Sequence, residues 1–480
     1  VALKVVQKLL SKMKEEGCVL NRKIILESIP EPQVFEHVAP TFLNAETIAE
    51  RKQKLLQRMS EENFEALVIY ADKEHASNFE YLTGFIPRFE EGLLVVERPE
   101  KFTLILGNEN LKLCAHARVS ADLIHYPQFS LPNQPMENEK TLESIFLDLG
   151  IAKKKRVGVI GWKMFTTKQS DPSTLFDVPY FIVDALKNTI PTECELVNGA
   201  YVMIGDNGVR TTNNANEIAH YEYGANLSSR CMLRAMNAIE PGCKETEIGN
   251  LLNADGQYNS VVTIAAAGQR FELANIYPTH KEIQLGEPMS LTTGFKGGLS
   301  SRTGFVVEQA EQLPDTQRDY LEAVAKPYFA AVVSWLENIK VGMAGNELYQ
   351  LIEDVFPKSK YHWHLNPGHL TADEEWMSSP IYADSSEKLK SGMILQIDII
   401  PSVPGYTGVS AEECVAIADE NLQHEIQKSY PELWERISVR RDYLTNVLNI
   451  NLSVDVLPLS KTVAYLRTFY LAKEKAFKIE

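Results

Sequence analysis

The alternation of apolar and polar positions divides the chain into an opening extension and two longer stretches of different character. Residues 1–17, VALKVVQKLLSKMKEEG, repeat apolar side chains at helical spacing among lysines and predict an amphipathic helix. The following ESIPEPQVFEHVAPTF carries three prolines, which break helices and favour extended backbone. Residues 1–44 are therefore expected to form a helical extension with an irregular connection. From Ala45, AETIAERKQKLLQRMSEEN places Leu55, Leu56 and Met59 on one helical face. ALVIY (66–70) is a continuous apolar run of buried-strand type. FEYLTGF (79–85), GLLVVER and KFTLILGNE then alternate or run apolar at strand length. A helix is expected around 139–150 and another buried strand in KKKRVGVIGW (153–162). This mixture predicts an α/β domain over residues 45–205. DNGVRTTNNANE, rich in Gly and Asn, supplies a linker and a helix cap.

Residues 211–480 repeat themselves. A long helix, a Gly break and a second helix start occur in NEIAHYEYGANLSSRCMLRAMNAIEPGCKETEIGNLL and again in QRDYLEAVAKPYFAAVVSWLENIKVGMAGNELYQLI. Ile239 and Gly242 correspond to Ile339 and Gly342, and Glu247 with Leu251 to Glu347 with Leu351. LGEPMSLTTG (285–294) matches KSGMILQIDI (390–399), with Gly286 on Gly392. Matching helices, breaks and strands predict a duplicated α+β unit whose halves face a central cleft, a favoured place for a site. LSVDVLPL and EKAFKIE are expected to be closing strands after a helix near 421–448.

Composition narrows the function classes. The formal net charge of −16 argues against non-specific nucleic-acid binding and against an anionic membrane surface, both of which need Lys and Arg. No run of 18 or more apolar residues is present, and the N-terminus lacks a secretory pattern. Six scattered cysteines without a CxxC point to free thiols and a cytoplasmic location.

The chemistry concentrates between residues 362 and 413. A Gly-His step at Gly368–His369 precedes an acidic run ending at Trp376. An apolar strand carries Asp398, and Glu412 with Glu413 opens another apolar run. A carboxylate within a strand is costly to bury without a partner, so these positions are site candidates. A locally satisfied or solvated Asp398 is the plain alternative.

YLTGF (81–85), the helix-IEPG-helix segment, PGH (367–369), SGMILQID and GVSAEECV, in this order, resemble the pita-bread superfamily of creatinase, aminopeptidase P, prolidase and methionine aminopeptidase. The resemblance covers roughly residues 45–480 and implies an α/β creatinase-like N-terminal domain followed by an α+β pita-bread domain with an internal two-fold pseudo-repeat. Metallopeptidases of that superfamily hold two metal ions through Asp, Asp, His, Glu and Glu, which suit Mn, Co or Fe. Carried over by position, the His falls on His369, one Glu on the shorter Asp398 and the last Glu on Glu412. The two aspartates fall on Thr292 and, eleven residues later, Thr303. Where the peptidases place a second His, this chain has Trp376.

The resemblance therefore implies a metal site lacking two of its five ligands, with no cofactor expected, or at most one Mn, Co or Fe ion on His369, Asp398 and Glu412. Creatinase, which hydrolyses a C–N bond without metal, supplies a precedent in which acidic residues hold a cationic substrate and a histidine moves the proton. That histidine's position falls on Asn275, with His280 five residues on. The expected reading is a hydrolase acting without metal on a C–N bond of a small zwitterionic or peptide-like substrate. In it His369, Asp398 and Glu412 are catalytic, and Arg302, Trp376 and Asn275 contact substrate. Arg302 has the alternative of neutralising Asp398 and Glu412. Ser300 and Ser301 have no histidine–acid arrangement and are not expected to be nucleophiles. A non-catalytic binding protein and a mononuclear Xaa-Pro aminopeptidase-type enzyme remain as alternatives, and relatives with this N-terminal domain lead one to expect a homodimer.

Overall fold

The computed structural model describes residues 22–480 except Asn138, Ala274, Asn275 and Thr407. The helix expected at 1–17 lies outside the described residues. The chain forms two compact units: Leu43–Thr212, and the residues before it together with Asn213–Glu480.

The first described element is strand β1 (Ile24–Ser28). In the unit that follows, helix α1 (Ala45–Glu61) starts where the Asn44 side chain accepts the Thr47 N–H at 2.8 Å. Ile48, Arg51, Leu55 and Met59 make its buried face; Leu56 is only half-buried. Strand β2 (Ala66–Ala71) leads to helix α2 (Ser77–Thr83). This helix occupies most of FEYLTGF, whose pattern suggested a strand. Seven residues cannot separate the two periods, and Gly84, at φ 78°, closes the helix in the left-handed region.

Strands β3 (Gly92–Glu97), β4 (Lys101–Leu106) and β5 (Asp122–His125), helix α3 (Leu142–Asp148), strand β6 (Arg156–Ile160), helix α4 (Tyr180–Thr189) and strand β7 (Glu195–Asn198) complete the unit. The sheet order is β5-β4-β3-β2-β6-β7, with β2 antiparallel to β3 and parallel to β6. The core is mainly aliphatic with a few aromatic rings: Val68, Val95, Ile105 and Val159 from the strands meet Ile145 and Phe146 of α3 and Ile182 and Leu186 of α4. Burial on both sheet faces is why the inner strands β2, β3, β4 and β6 read as nearly continuous apolar runs.

The other unit is built on the repeat. Helices α5 (Ala215–Ala238) and α6 (Glu245–Asn250) precede strands β8 (Ile264–Ala267), β9 (Pro288–Phe295) and β10 (Gly298–Phe305). Helices α7 (Lys326–Asn338) and α8 (Gly345–Val355) precede strands β11 (His369–Leu370), β12 (Ile394–Ile397) and β13 (Ser410–Ile417). The sheet runs β11-β12-β13-β10-β9-β8, a palindrome about the β13–β10 seam, and β14 (Val456–Pro458) also pairs with β13. Helices α9 (Glu420–Ser429) and α10 (Pro431–Asp442) fill the interval expected to be one helix. Pro431 opens the second of them, where its missing N–H costs nothing.

Hydrogen bonds repeat with the sequence. Gly242 N–H reaches Ile283 O at 2.8 Å, and Gly342 N–H reaches Leu389 O at 2.7 Å. Both glycines sit at positive φ, 94° and 87°, which a side chain at either break would oppose. Gly286 N–H bonds Val306 O at 2.9 Å, and Gly392 N–H bonds Ile417 O at 2.8 Å. Strand β15 (Lys475–Ile479) closes the unit by pairing antiparallel with β1, so the Pro-rich opening stretch is preceded by a strand rather than being wholly irregular.

Candidate active site

Strands β9, β10, β12 and β13 alternate their side chains between two faces. On the face toward α5, Ser300 Oγ lies 3.3 Å from Ser228 Oγ of that helix and 2.9 Å from the Glu413 carboxylate. Arg302 is on this face too. Its guanidinium donates to Glu413 at 2.7 Å and to the carbonyls of Ser301, Thr462 and Tyr465, and both charged side chains are buried. Ser460 and Thr462 donate to the remaining Glu413 acceptors. Arg302 is thus committed to Glu413 behind the sheet. It neither reaches toward a substrate nor pairs with Asp398 or Glu412, because its strand position has the opposite parity to that of Ser301, which the register pairs with Glu412.

The other face carries the candidate site. His369, Asp398 and Glu412 come together there, with 1%, 5% and 8% of their surfaces exposed. His369 lies on β11; Asp398 immediately follows β12, past its end rather than within it; Glu412 is on β13. His369 Nε2 is 3.6 Å from Asp398 Oδ2, beyond hydrogen-bond length, while Nδ1 is 3.2 Å from Leu370 O. Donation from Nδ1 to that carbonyl leaves Nε2 as the acceptor facing the carboxyl.

Burial holds the imidazole down at about 4 and pushes Asp398 up to about 7, with Glu375 adding repulsion. Glu412 is raised well above the usual carboxylate range by burial, Asp398 and Glu375. The directions agree: near neutrality the proton resides on the carboxyl groups, and His369–Asp398 is not an ion pair. Asp398 Oδ1 has no hydrogen-bond partner among the described residues. Glu375, itself raised by burial, was not singled out by sequence. Its only signal there was membership of the acidic run before Trp376.

Trp376 stacks on His369, with centroids 4.0 Å apart and planes 22° apart, and remains 39% exposed. Asn275 lies outside the described residues. His280 is exposed, 3.5 Å from Thr246 Oγ1.

Opposite the carboxylates, β9 and β10 present hydroxyls joined in a ladder. Thr292 donates to Ser301 (2.9 Å), Ser301 meets Ser410 (3.2 Å), Ser410 donates to Thr303 (3.3 Å) and Thr303 to Ser290 (3.2 Å). The repeat fixes who stands for whom. Six residues on from Gly286 and Gly392 are Thr292 and Asp398; five back from Val306 and Ile417 are Ser301 and Glu412. Counting eleven from Thr292 reached Thr303, but the register makes Ser301 the counterpart of Glu412 and pairs it with Thr292. The same register pairs Gln396 with His369, and its counterpart Ser290 with Ala266, so the histidine has no twin.

The profile of Metallopeptidase family M24 matches residues 219–419, and that of the Creatinase/Prolidase N-terminal domain matches residues 51–201. The chain belongs to the creatinase and aminopeptidase P pita-bread superfamily. Its two units, one α/β and one a duplicated α+β sheet, are those of this superfamily, whose M24 members are hydrolases.

Among solved structures, the Xaa-Pro dipeptidase from Bacillus anthracis matches with 17% identity over 78% of this chain and 96% of that one, at a TM-score of 0.60. A prolidase from Thermococcus sibiricus matches with 19% identity over 79% and 96%, also at 0.60. The dipeptidase PepE from Mycobacterium ulcerans matches with 16% identity over 78% and 94%, again at 0.60. At these identities the likeness is one of fold. No curated protein matches the chain.

Among the described residues no group of three or more His, Cys, Asp or Glu is arranged to hold a metal ion. The five described cysteines are free thiols. No helix of the described residues is long and apolar enough to cross a membrane.

Proposed function

We propose that this chain hydrolyses a C–N bond in a small cationic or peptide-like substrate, using Asp398, Glu412 and His369 in place of a metal pair. One observation carries the reading. Asp398 and Glu412 lie buried on one face, half-buried Glu375 is close enough to repel both, and none of the three forms an ion pair with a lysine or arginine among the described residues. Buried carboxylates held far above their usual range gain most from a cation that brings its own hydrogen-bond donors, such as an ammonium or amidinium group.

The donor set does not fit two bridged metal ions. The oxygens offered by β9 and β10 are neutral hydroxyls, and each is engaged with its neighbour in the ladder. The bond-breaking step is therefore assigned to side chains. Asp398, pushed up to about 7, is matched to proton transfer near neutrality and serves as general base toward water, then as acid toward the leaving nitrogen. Glu412 holds the substrate's cation. His369, neutral above about pH 4, presents Nε2 to Asp398 and keeps its proton orientated. Trp376 covers one face of the imidazole and helps keep water from it.

Xaa-Pro dipeptides, creatine-like guanidines and amino-acid amides, supplied to chelator-treated protein, test the reading. Turnover that His369→Ala and Asp398→Asn each abolish is the expected result; an undiminished rate in either variant sinks it. The Trp376 stack, which covers one imidazole face, favours a second reading as a binding protein. Saturable binding of one of these compounds with no product formed would select it.

A further inference from the structure

We propose that the hydroxyl ladder replaces a metal pair as the cross-link between β9, β10 and β13, and that carboxylates in place of Thr292 and Ser301 are enough to make this site bind divalent metal. The inference rests on the reading above that the reaction runs without metal, and extends it to what holds the strands in the metal's place. The ladder passes from β9 to β10, to β13, back to β10 and back to β9, so its hydrogen bonds tie the three strands together through side chains. Its members are nearly buried, between 4% and 6% exposed, and face the same side as Glu412. Cross-strand hydroxyl pairs of this kind stabilise a sheet, and satisfy one another where water is scarce.

The symmetry of the unit locates the exchange. Asp398 and Glu412 stand in one half; their repeat counterparts Thr292 and Ser301 stand in the other, at the same distances from the paired glycine and carbonyl anchors. Side chains at 292 and 301 already pair across β9 and β10. Two carboxylates there would complete four acidic oxygen donors around one sheet face, with His369 beside them. Asp398 Oδ1, buried and without a hydrogen-bond partner among the described residues, is an acceptor left open on that face.

The test is Mn(II) uptake by the full-length chain, followed by the electron paramagnetic resonance of the free ion, together with melting temperature with and without chelator. The wild-type chain is expected to take up no stoichiometric Mn(II) and to melt at the same temperature in chelator. The Thr292→Asp/Ser301→Asp variant is expected to bind Mn(II) at least ~100-fold more tightly, since ligand charge tunes divalent-cation affinity over several orders of magnitude. Adding His369→Ala should weaken that binding by ~10-fold or more.

Stoichiometric Mn(II) on the wild-type chain, or a folded double variant that takes up none, would overturn the proposal. If the double variant does not fold, the wild-type measurement and Thr303→Val still decide. That substitution breaks the ladder without adding charge and should lower the melting temperature, and an unchanged melt counts against the cross-link. These readouts need no substrate. Failure of His369→Ala to affect turnover would overturn the catalytic reading while leaving the Mn(II) result standing.

Discussion

The two halves of the duplicated sheet share a backbone and differ in what they ask of their surroundings. β12 and β13 bring Asp398 and Glu412 to one face, buried beside each other without an ion-pair partner among the lysines and arginines described; β9 and β10 bring Thr292 and Ser301 to the equivalent places and satisfy them internally. The glycine anchors, helix breaks and carbonyl partners match between the halves. The scaffold therefore tolerates two opposite electrostatic solutions on the same register. Behind it, Arg302 and Glu413 form a third, in which each charge has a partner. Chemistry is expected only where a charge lacks one.

The sharpest way to break the contrast is at the acidic half. Asp398→Asn should lower turnover of the true substrate by about 10²–10⁴-fold, the usual contribution of a positioned acid–base group, as measured by steady-state kinetics. Next in size is the compensated pair. Glu413→Gln leaves the Arg302 guanidinium buried without its counter-charge and should cost about 3–5 kcal/mol in urea unfolding, against little change for a surface pair such as Lys140–Asp148.

A smaller effect separates the halves by pH. The folded-state value of Asp398 is raised from 3.8 to about 7, so the stability it contributes is complete at low pH and is lost as pH rises through about 7. Asp398→Asn removes that dependence. The variant should gain roughly 1–3 kcal/mol over wild type between about pH 5 and about pH 8, by melts at both values. His369 acts with the other sign: its neutral form is favoured above about 6.5, and that contribution is lost as pH falls through about 4. The smallest effect falls on the neutral half. Thr303→Val deletes one ladder hydroxyl and should cost about 1 kcal/mol, with no change in the pH profile of stability.

Much of this arrangement was legible before any coordinates. The repeat at Gly242/Gly342 and Gly286/Gly392 gave the duplicated sheet, and the Gly-His step and two apolar strands located His369, Asp398 and Glu412. Sequence failed where a single residue of register decides the face. Arg302 looked available from its neighbours, yet strand parity turned it to Glu413. Counting eleven residues gave Thr303, whereas the hairpin pairs Thr292 with Ser301. The short FEYLTGF run carried too few residues to show a helical period, and β1 was invisible because its partner lies at the far end of the chain. Glu375 was hidden inside an acidic run of the kind that is usually solvated.

That last pairing has a consequence for how the molecule is made. Ile24–Ser28 finds its partner only in Lys475–Ile479, with the whole of Leu43–Thr212 in between. During synthesis β1 leaves the ribosome well before its partner and must wait until residues 475–479 have been made. The intervening α/β unit, compact in itself, can complete itself meanwhile. A ribosome halted just before residue 475 would therefore display a finished inner unit and an unpaired strand edge, the state in which this chain is most exposed to aggregation or to a chaperone.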